Sequence, residues 1–490
     1  MIHVKEEAAR CLMCEDAPCT KACRTGDPAR AVRAIRFDNA ANAWRWTEAC
    51  IEADLERAEQ ACIHYDMPIR LRELLKSVPA RPADGQKAAP SLAIDFVGIH
   101  CENPFFLASS AVCTNYEMVA RAFDAGWGGV FYKTICKQDI REVSPRFDAV
   151  KDDTRFAGFR NMEQLSENPY EVDFDILSRL KRNYPSKVVI ASIMGQYEEE
   201  WAELAKMAED AGCDAVELNF SCPQMRLSGL GSDVGQNAEL VTFYTAYVKR
   251  SVKIPVIPKM TPNITNINQP ALGAYFAGAD AISAINTIKS VTMSPAAAVS
   301  GKQTLSGYSG RAVKPIALRY ILEMALNPLL NGSNGKRVEL SGIGGIMTWQ
   351  DALEFIQLGC TNVQVCTSVM EYGYRIIDDL ILGLQTYMAE EGIEQLADLV
   401  GSELDHFVLP SDLDRETMVF PKIDRSVCIG CGRCYVSCQD GGHQAISFDA
   451  ESRQPHIIGS KCVGCHLCRL VCPTGAIGLA KRIEKSVRPA

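Results

Sequence analysis

From residue 105 onward, short apolar runs rich in β-formers alternate with helix-like stretches. The runs fall at 105–109, 129–134, 188–195, 215–221, 255–261, 281–287, 338–346 and 362–368. Clear helical spacers lie at 201–211, 238–252 and 349–357. Eight strands with helices between them predict an α/β fold, a parallel sheet closed as a (β/α)8 TIM barrel. An open doubly wound sheet is the alternative. Against it, no Gly-x-Gly-x-x-Gly follows an early strand. Before the barrel, residues 5–14 and 54–63 are rich in Ala, Glu, Leu and Arg and predict helices. Pro79, Pro82, Gly85 and Pro90 then interrupt any helix. The expected organisation is a helical N-terminal domain over 1–77, a linker over 78–91, the barrel over 92–400, a connector over 401–421 and a small C-terminal domain over 422–490.

Composition changes this picture in one respect. The net charge of −9 suggests neither a nucleic-acid nor an anionic-membrane partner. No apolar run reaches the length of a membrane span, and the first residues carry charge where a signal peptide needs an apolar region. The 21 cysteines stand out. In a long chain without an export signal, clustered cysteines read as metal ligands, and the expected compartment is the reducing cytoplasm.

Two cysteine clusters have spacings that can be read. Cys428-x2-Cys431-x2-Cys434-x3-Cys438 and Cys462-x2-Cys465-x2-Cys468-x3-Cys472-Pro473 follow the bacterial two-cluster ferredoxin pattern. In that pattern the fourth cysteine of each run serves the other cluster. Cys428, Cys431, Cys434 and Cys472 would hold one [4Fe–4S] cluster, and Cys462, Cys465, Cys468 and Cys438 the second. Gln439 stands where the first run lacks the usual Pro, and His443 and His466 read as supporting or surface groups. The N-terminal cysteines, Cys11-x2-Cys14-x4-Cys19-x3-Cys23 with Cys50 and Cys62, suit an iron–sulfur cluster, with zinc as the alternative.

A barrel's active site lies at the C-terminal ends of its strands. Those ends carry Ala108 and Ser109, Lys133 and Thr134, Asn219, Ser221 and Cys222, Lys259, Asn286 and Thr287, Gly344 and Gly345, and Thr367 and Ser368. A core does not need so many polar groups. In Asn219-Phe220-Ser221-Cys222-Pro223 the thiol, with an ordinary pKa near ~8.5, can give or take a proton. Asn219 can read an amide-like ring, because its side chain both donates and accepts. A lone cysteine is more often a buried structural residue; this one is set among polar strand ends. Ser341-Gly342-Ile343-Gly344-Gly345 and Thr367-Ser368 resemble a phosphate site at the seventh and eighth strands. With Lys133 and Lys259 they suggest FMN.

Five stretches are similar to the FMN domain of the dihydropyrimidine dehydrogenase family, most of all to the catalytic subunit of the bacterial NAD-dependent enzymes. They are Asn219-Phe220-Ser221-Cys222-Pro223, Lys259-Met260-Thr261-Pro262-Asn263, Ile285-Asn286-Thr287, Gly307-Tyr308-Ser309-Gly310 and Ser341-Gly342-Ile343-Gly344-Gly345. The resemblance implies that Asn161, Asn219, Asn286 and Thr287 hold a pyrimidine ring. It implies that Cys222 protonates C5 while reduced FMN delivers hydride to C6 of uracil or thymine, reversibly. It places Lys133, Lys259, Ser309, Gly310, Gly345, Thr367 and Ser368 around FMN. Asn161 lies in Gly158-Phe159-Arg160-Asn161-Met162-Glu163, which reads as a loop.

The N-terminal segment resembles the cluster domain that this family shares with the glutamate synthase small subunit. That implies one cluster on Cys11, Cys14, Cys19 and Cys62, with Cys23 and Cys50 left toward a second; six cysteines cannot supply eight thiolates. No dinucleotide fingerprint is present, and the resemblance implies a separate FAD/NAD(P)H flavoprotein subunit, or a ferredoxin, as electron donor, in a homodimer or hetero-oligomer. Two other readings stay open: a dihydroorotate dehydrogenase on the same barrel, and a non-catalytic electron-transfer subunit.

Overall fold

The computed structural model describes residues 4–79, 89–152, 155–222, 231–293, 298–299, 301–333, 335 and 337–485. Most of the expected linker, Pro223 and the start of the loop at 228–236 lie outside them. The chain divides into two compact units, Ile2–Asp405 and His406–Ala490. The N-terminal helices, expected as a domain of their own, belong to the same unit as the barrel.

Eight parallel strands close the barrel: β1 Phe105–Leu107, β2 Gly129–Phe131, β3 Val188–Ile193, β4 Ala215–Asn219, β5 Val256–Lys259, β6 Ala281–Ala284, β7 Glu339–Ile343 and β8 Cys360–Val365. They are bonded in chain order around the ring, and β8 returns to β1 through Val363, Gln364 and Val365. Every residue of β3, β4, β5, β6 and β8 is buried. This is the signature of strands covered on both faces. Alternate side chains point outward to the helices, such as Val216 and Leu218, or into the barrel, such as Glu217 and Asn219. The interior is polar for a core: Ser192, Glu217, Lys259, Ser283, Ser341 and Gln364 are all buried. The helix Trp349–Gln357 spans the predicted residues, because Thr348 and Asp351 form a reciprocal capping box.

Two excursions from the barrel meet in a four-stranded antiparallel sheet, Ile288–Ser290, Ser306–Ser309, Arg155–Asn161 and Phe147–Asp152, in that order. This corrects the loop expected at Asn161. The residue ends a strand and pairs with Gly307 on one side and Phe147 on the other. The pairing partner at 306–309 is far away in the chain, so local propensity could not announce it.

The N-terminal helices Val4–Ala9, Pro18–Ala22, Pro28–Arg36, Glu52–Gln60 and Leu71–Lys76 surround a small core of Ala31, Val32, Ile35, Leu71 and Leu74. The first helix stops at Ala9, short of the predicted residue 14, and leaves Cys11 and Cys14 in irregular backbone where Met13 has φ +53°. In the C-terminal unit Thr417–Ile423 pairs antiparallel with Ile477–Glu484. The connector expected to run to residue 421 therefore ends earlier, since its last residues already form a strand. A second hairpin, Ile446–Asp449 with Gln454–Ile457, and the helices Arg433–Gly441 and Leu467–Leu470 complete this unit. Among the described residues no helix is long and apolar enough to cross a membrane.

Candidate active site and cysteine clusters

A cavity of about 1020 Å³ opens at the C-terminal ends of the barrel strands. Its wall includes Ala108, Ser109, Lys133, Thr134, Asn161, Asn219, Cys222, Lys259, Asn286, Thr287, Ser309, Gly310, Gly344, Gly345 and Thr367. Of the residues anticipated there, Ser221 and Ser368 stand behind the wall. Ser221 is fully buried and donates through Oγ to Asn219 Oδ1 at 2.9 Å. Ser368 Oγ donates to the Ile346 carbonyl at 2.8 Å. Cys222 lies at the wall just past β4, only 5 % exposed.

Both lysines are buried and faced by carboxylates. Lys133 Nζ is 2.9 Å from Glu163 Oε2, and Lys259 Nζ is 3.5 Å from Glu217 Oε1. Glu163, which also lines the cavity, was not singled out from the sequence. An acidic residue two positions after Asn161, able to match Lys133, was the available signal. Phe147, Phe159 and Tyr308 also reach the wall from the four-stranded sheet, which the sequence did not reveal. Burial raises the pKa of the Cys366 thiol, another wall residue.

The glycine turn after β7 lines the cavity and packs closely against the chain behind it. Gly344 and Gly345 have φ +132° and +77°, a region that L side chains rarely adopt. A Cβ on Gly345 would come within 2.8 Å of Lys314 Cβ and 3.0 Å of the Gly310 carbonyl. Ser309 Oγ and Thr367 Oγ1, 3.0 Å apart, add hydroxyls to the wall nearby. Buried cations, a glycine cradle and hydroxyls together form a donor set suited to FMN.

The structure brings several of the candidate cysteines together. Cys11, Cys14, Cys19 and Cys62 border a cavity of about 450 Å³. Burial, together with the neighbouring Cys11 and Cys62 thiols, pushes Cys19 up to about 11. Cys438, Cys462, Cys465 and Cys468 border another of about 350 Å³. Burial raises Cys434, whose thiol also feels Cys431, Cys428 and Cys472. None of the 21 described cysteines is in a disulfide. Among the described residues no three His, Cys, Asp or Glu side chains are set for a single metal ion; these two sets of thiols border open cavities instead. Cys23 and Cys50 stand apart, Sγ to Sγ 3.4 Å. Gly430, Gly432 and Gly464 take positive φ beside the sulfurs, as does His466, whose Nε2 lies 3.0 Å from the Val419 carbonyl. His443 is exposed.

Comparison with known proteins agrees with this geometry. The family model for dihydroorotate dehydrogenase matches residues 91–388, and that for a 4Fe-4S dicluster domain matches residues 421–479. The chain is 51 % identical over 397 residues to the NAD-dependent dihydropyrimidine dehydrogenase subunit PreA of Escherichia coli, covering 80 % of this chain and 95 % of that one. The chain belongs to the dihydropyrimidine dehydrogenase family. A second member, the chloroplastic dihydropyrimidine dehydrogenase (NADP(+)) of Arabidopsis thaliana, is 37 % identical over 343 residues, 67 % of this chain and 80 % of its own length. A crystal structure of DHODH from Eimeria tenella in complex with ferulenol shares the fold with a TM-score of 0.55 at 20 % identity, covering 68 % of this chain and 93 % of that one. As a member of the dihydropyrimidine dehydrogenase family the chain is an oxidoreductase, with a flavin-type barrel and a 4Fe-4S domain in one polypeptide.

Proposed function

We propose that the chain reduces the 5,6 double bond of uracil or thymine to the dihydropyrimidine, reversibly. The observation that carries this reading is one cavity wall holding three asparagines, a thiol, two buried lysines and a glycine cradle. Asn161, Asn219, Asn286 and Thr287 offer the donors and acceptors that a ring with alternating C=O and N–H groups requires. Cys222 gives its proton to C5 as the general acid. Lys133 and Lys259, Ser109, Thr134, Ser309, Gly310, Gly344, Gly345 and Thr367 hold FMN, and Ala108 borders it. When bound, FMN supplies hydride for C6, and the iron–sulfur clusters supply single-electron carriage. Cys428, Cys431, Cys434 and Cys472, then Cys462, Cys465, Cys468 and Cys438, hold the C-terminal clusters, and Cys11, Cys14, Cys19 and Cys62 hold one at the N-terminus. The names of the relatives support an NAD(P)H-linked partner subunit as the electron source.

Charge favours a neutral pyrimidine over orotate. The cations among the described wall residues are Lys133 and Lys259, and each already faces a carboxylate. A substrate carboxylate would find no unmatched cation among them. The test is anaerobic. The holoenzyme is reduced with dithionite, excess reductant is removed, and uracil is added while flavin absorbance is followed. Flavin reoxidation with dihydrouracil formed is expected. Reoxidation by orotate and not by uracil would overturn the substrate; reoxidation by neither would favour a pure electron-transfer role.

A further inference from the structure

Glu217 sits inside the barrel, wholly buried, with an accepting carboxylate and three polar neighbours, Ser192, Lys259 and Ser283. Ser192 Oγ donates to Oε1 at 2.9 Å and Ser283 Oγ to Oε2 at 2.8 Å. As a carboxylate beside the Lys259 ammonium, Glu217 can only accept. That decides where the Ser192 hydrogen points. The Ser192 oxygen is then left to accept from Thr134 Oγ1, 3.0 Å away. Thr134 in turn accepts from Asn219 Nδ2 at 2.9 Å.

The far end is fixed independently by backbone. The Ser221 N–H and Oγ–H both donate to Asn219 Oδ1, at 3.2 and 2.9 Å. The Asn286 Nδ2 donates to Ser221 Oγ at 2.8 Å, and the Thr287 N–H donates to Asn286 Oδ1 at 2.7 Å. Every hydrogen bond in the series therefore donates toward Glu217. Two backbone N–H groups and one carboxylate set this direction, with Ser109 Oγ, 3.1 Å from Thr134 Oγ1, as a side branch. Bonds aligned this way polarise one another in a buried setting.

We propose that Glu217 is a positioning residue for substrate: it terminates a one-directional chain, Asn286–Ser221–Asn219–Thr134–Ser192, that sets how Asn219 and Asn286 face the pyrimidine. This inference rests on the substrate reading above. Asn219 has one Nδ2–H committed to Thr134, so its second is the one available to a ring carbonyl, while Asn286 Nδ2 also lies 3.5 Å from Asn219 Oδ1. The same carboxylate faces Lys259, so the cofactor side and the substrate side of the cavity share one buried anchor.

Ser192 and Ser283 make the test sharp. Both hydroxyls are fully buried and donate to the same carboxylate, but only Ser192 leads on to Thr134 and Asn219. Uracil is titrated into oxidised holoenzyme, read by the flavin absorbance change, for wild type, Ser192→Ala, Ser283→Ala, Glu217→Gln and Glu217→Gln with Ser192→Ala. The expected result is a Kd about tenfold weaker for Ser192→Ala, near the worth of one hydrogen bond, and a change under about twofold for Ser283→Ala. The double variant should be no weaker than Glu217→Gln alone, because both changes act through one chain. The flavin midpoint potential should shift in Glu217→Gln and not in Ser192→Ala. Equal weakening in the two serine variants, no weakening in either, or loss of FMN from both would overturn the chain. Wild type that fails to bind uracil in the same titration would overturn the substrate reading itself, and this inference with it.

Discussion

Arg33 Nε lies 2.7 Å from Asp379 Oδ2, and both side chains are buried. This contact joins the N-terminal helix Pro28–Arg36 to Ile376–Glu391, the long helix that follows the last barrel strand. Around it Asn39 Nδ2 donates to the Asp379 carbonyl at 2.7 Å and Trp349 Nε1 to the Asp38 carbonyl at 3.2 Å. The N-terminal helices are thus built onto the barrel, so excising residues 1–77 would strip a buried face rather than detach a module.

Burial outweighs the Arg33 guanidinium, which pulls the other way, and pushes the Asp379 carboxyl up to about 6. An unfolded Asp titrates near ~3.9, so the folded chain holds the extra proton between about pH 4 and pH 6. Stability measured against Asp379→Asn should fall as pH rises through that window, by roughly 3 kcal/mol in all, and stay level above it. Denaturant unfolding of both proteins from pH 4 to 8 checks this; a difference that does not change with pH would refute it.

Cys222→Ser should lower turnover by at least about 10²-fold, because a hydroxyl is a far weaker acid than a thiol. FMN and iron content should stay at wild-type levels. Steady-state assay beside flavin and iron determination separates loss of the proton donor from loss of the site.

Gly345→Ala should shed FMN. Its Cβ would meet Lys314 N at 2.9 Å and Lys314 Cβ at 2.8 Å, and φ +77° strains any L residue. The strain costs on the order of 1–3 kcal/mol. Flavin absorbance per polypeptide is the measure, and full occupancy would show that the turn does not cradle the cofactor.

Cys438→Ser should remove about four iron atoms per chain, one cluster. Cys438 borders its cavity with Cys462, Cys465 and Cys468, not with its own run. Cys472→Ser should remove a different set. Iron analysis with EPR of each reduced variant tests the crossed pairing; identical spectra from both would contradict it.

At the N-terminus, Cys62→Ser should lower iron content and Cys50→Ser should not. Cys62 shares a cavity with Cys11, Cys14 and Cys19, whereas Cys50 has Cys23 as its sulfur neighbour. Equal iron loss from the two would place Cys50 among the ligands.

Much of this protein is legible in one dimension. A barrel strand such as 188–193 is a short, largely apolar run, because it is buried on both faces. The ferredoxin spacing is equally local: a thiolate every third residue is set by the reach of a tight turn around a cluster. Lys133, Lys259, Asn219 and Cys222 could be picked out because strand ends are visible as the last residues of those runs.

Only the tertiary structure decided the rest. Asn161 is a strand residue because 306–309 pairs with it as the neighbouring strand, a contact between segments about 150 residues apart that no local pattern encodes. Glu217 reads in sequence as a stray charge within an apolar run. It becomes the acceptor at the end of a directed chain only when β3, β4, β5 and β6 bring Ser192, Lys259 and Ser283 around it. Hydrogen-bond direction depends on which groups face each other in three dimensions. Residue type alone supplies the donors and acceptors, and the barrel supplies their order.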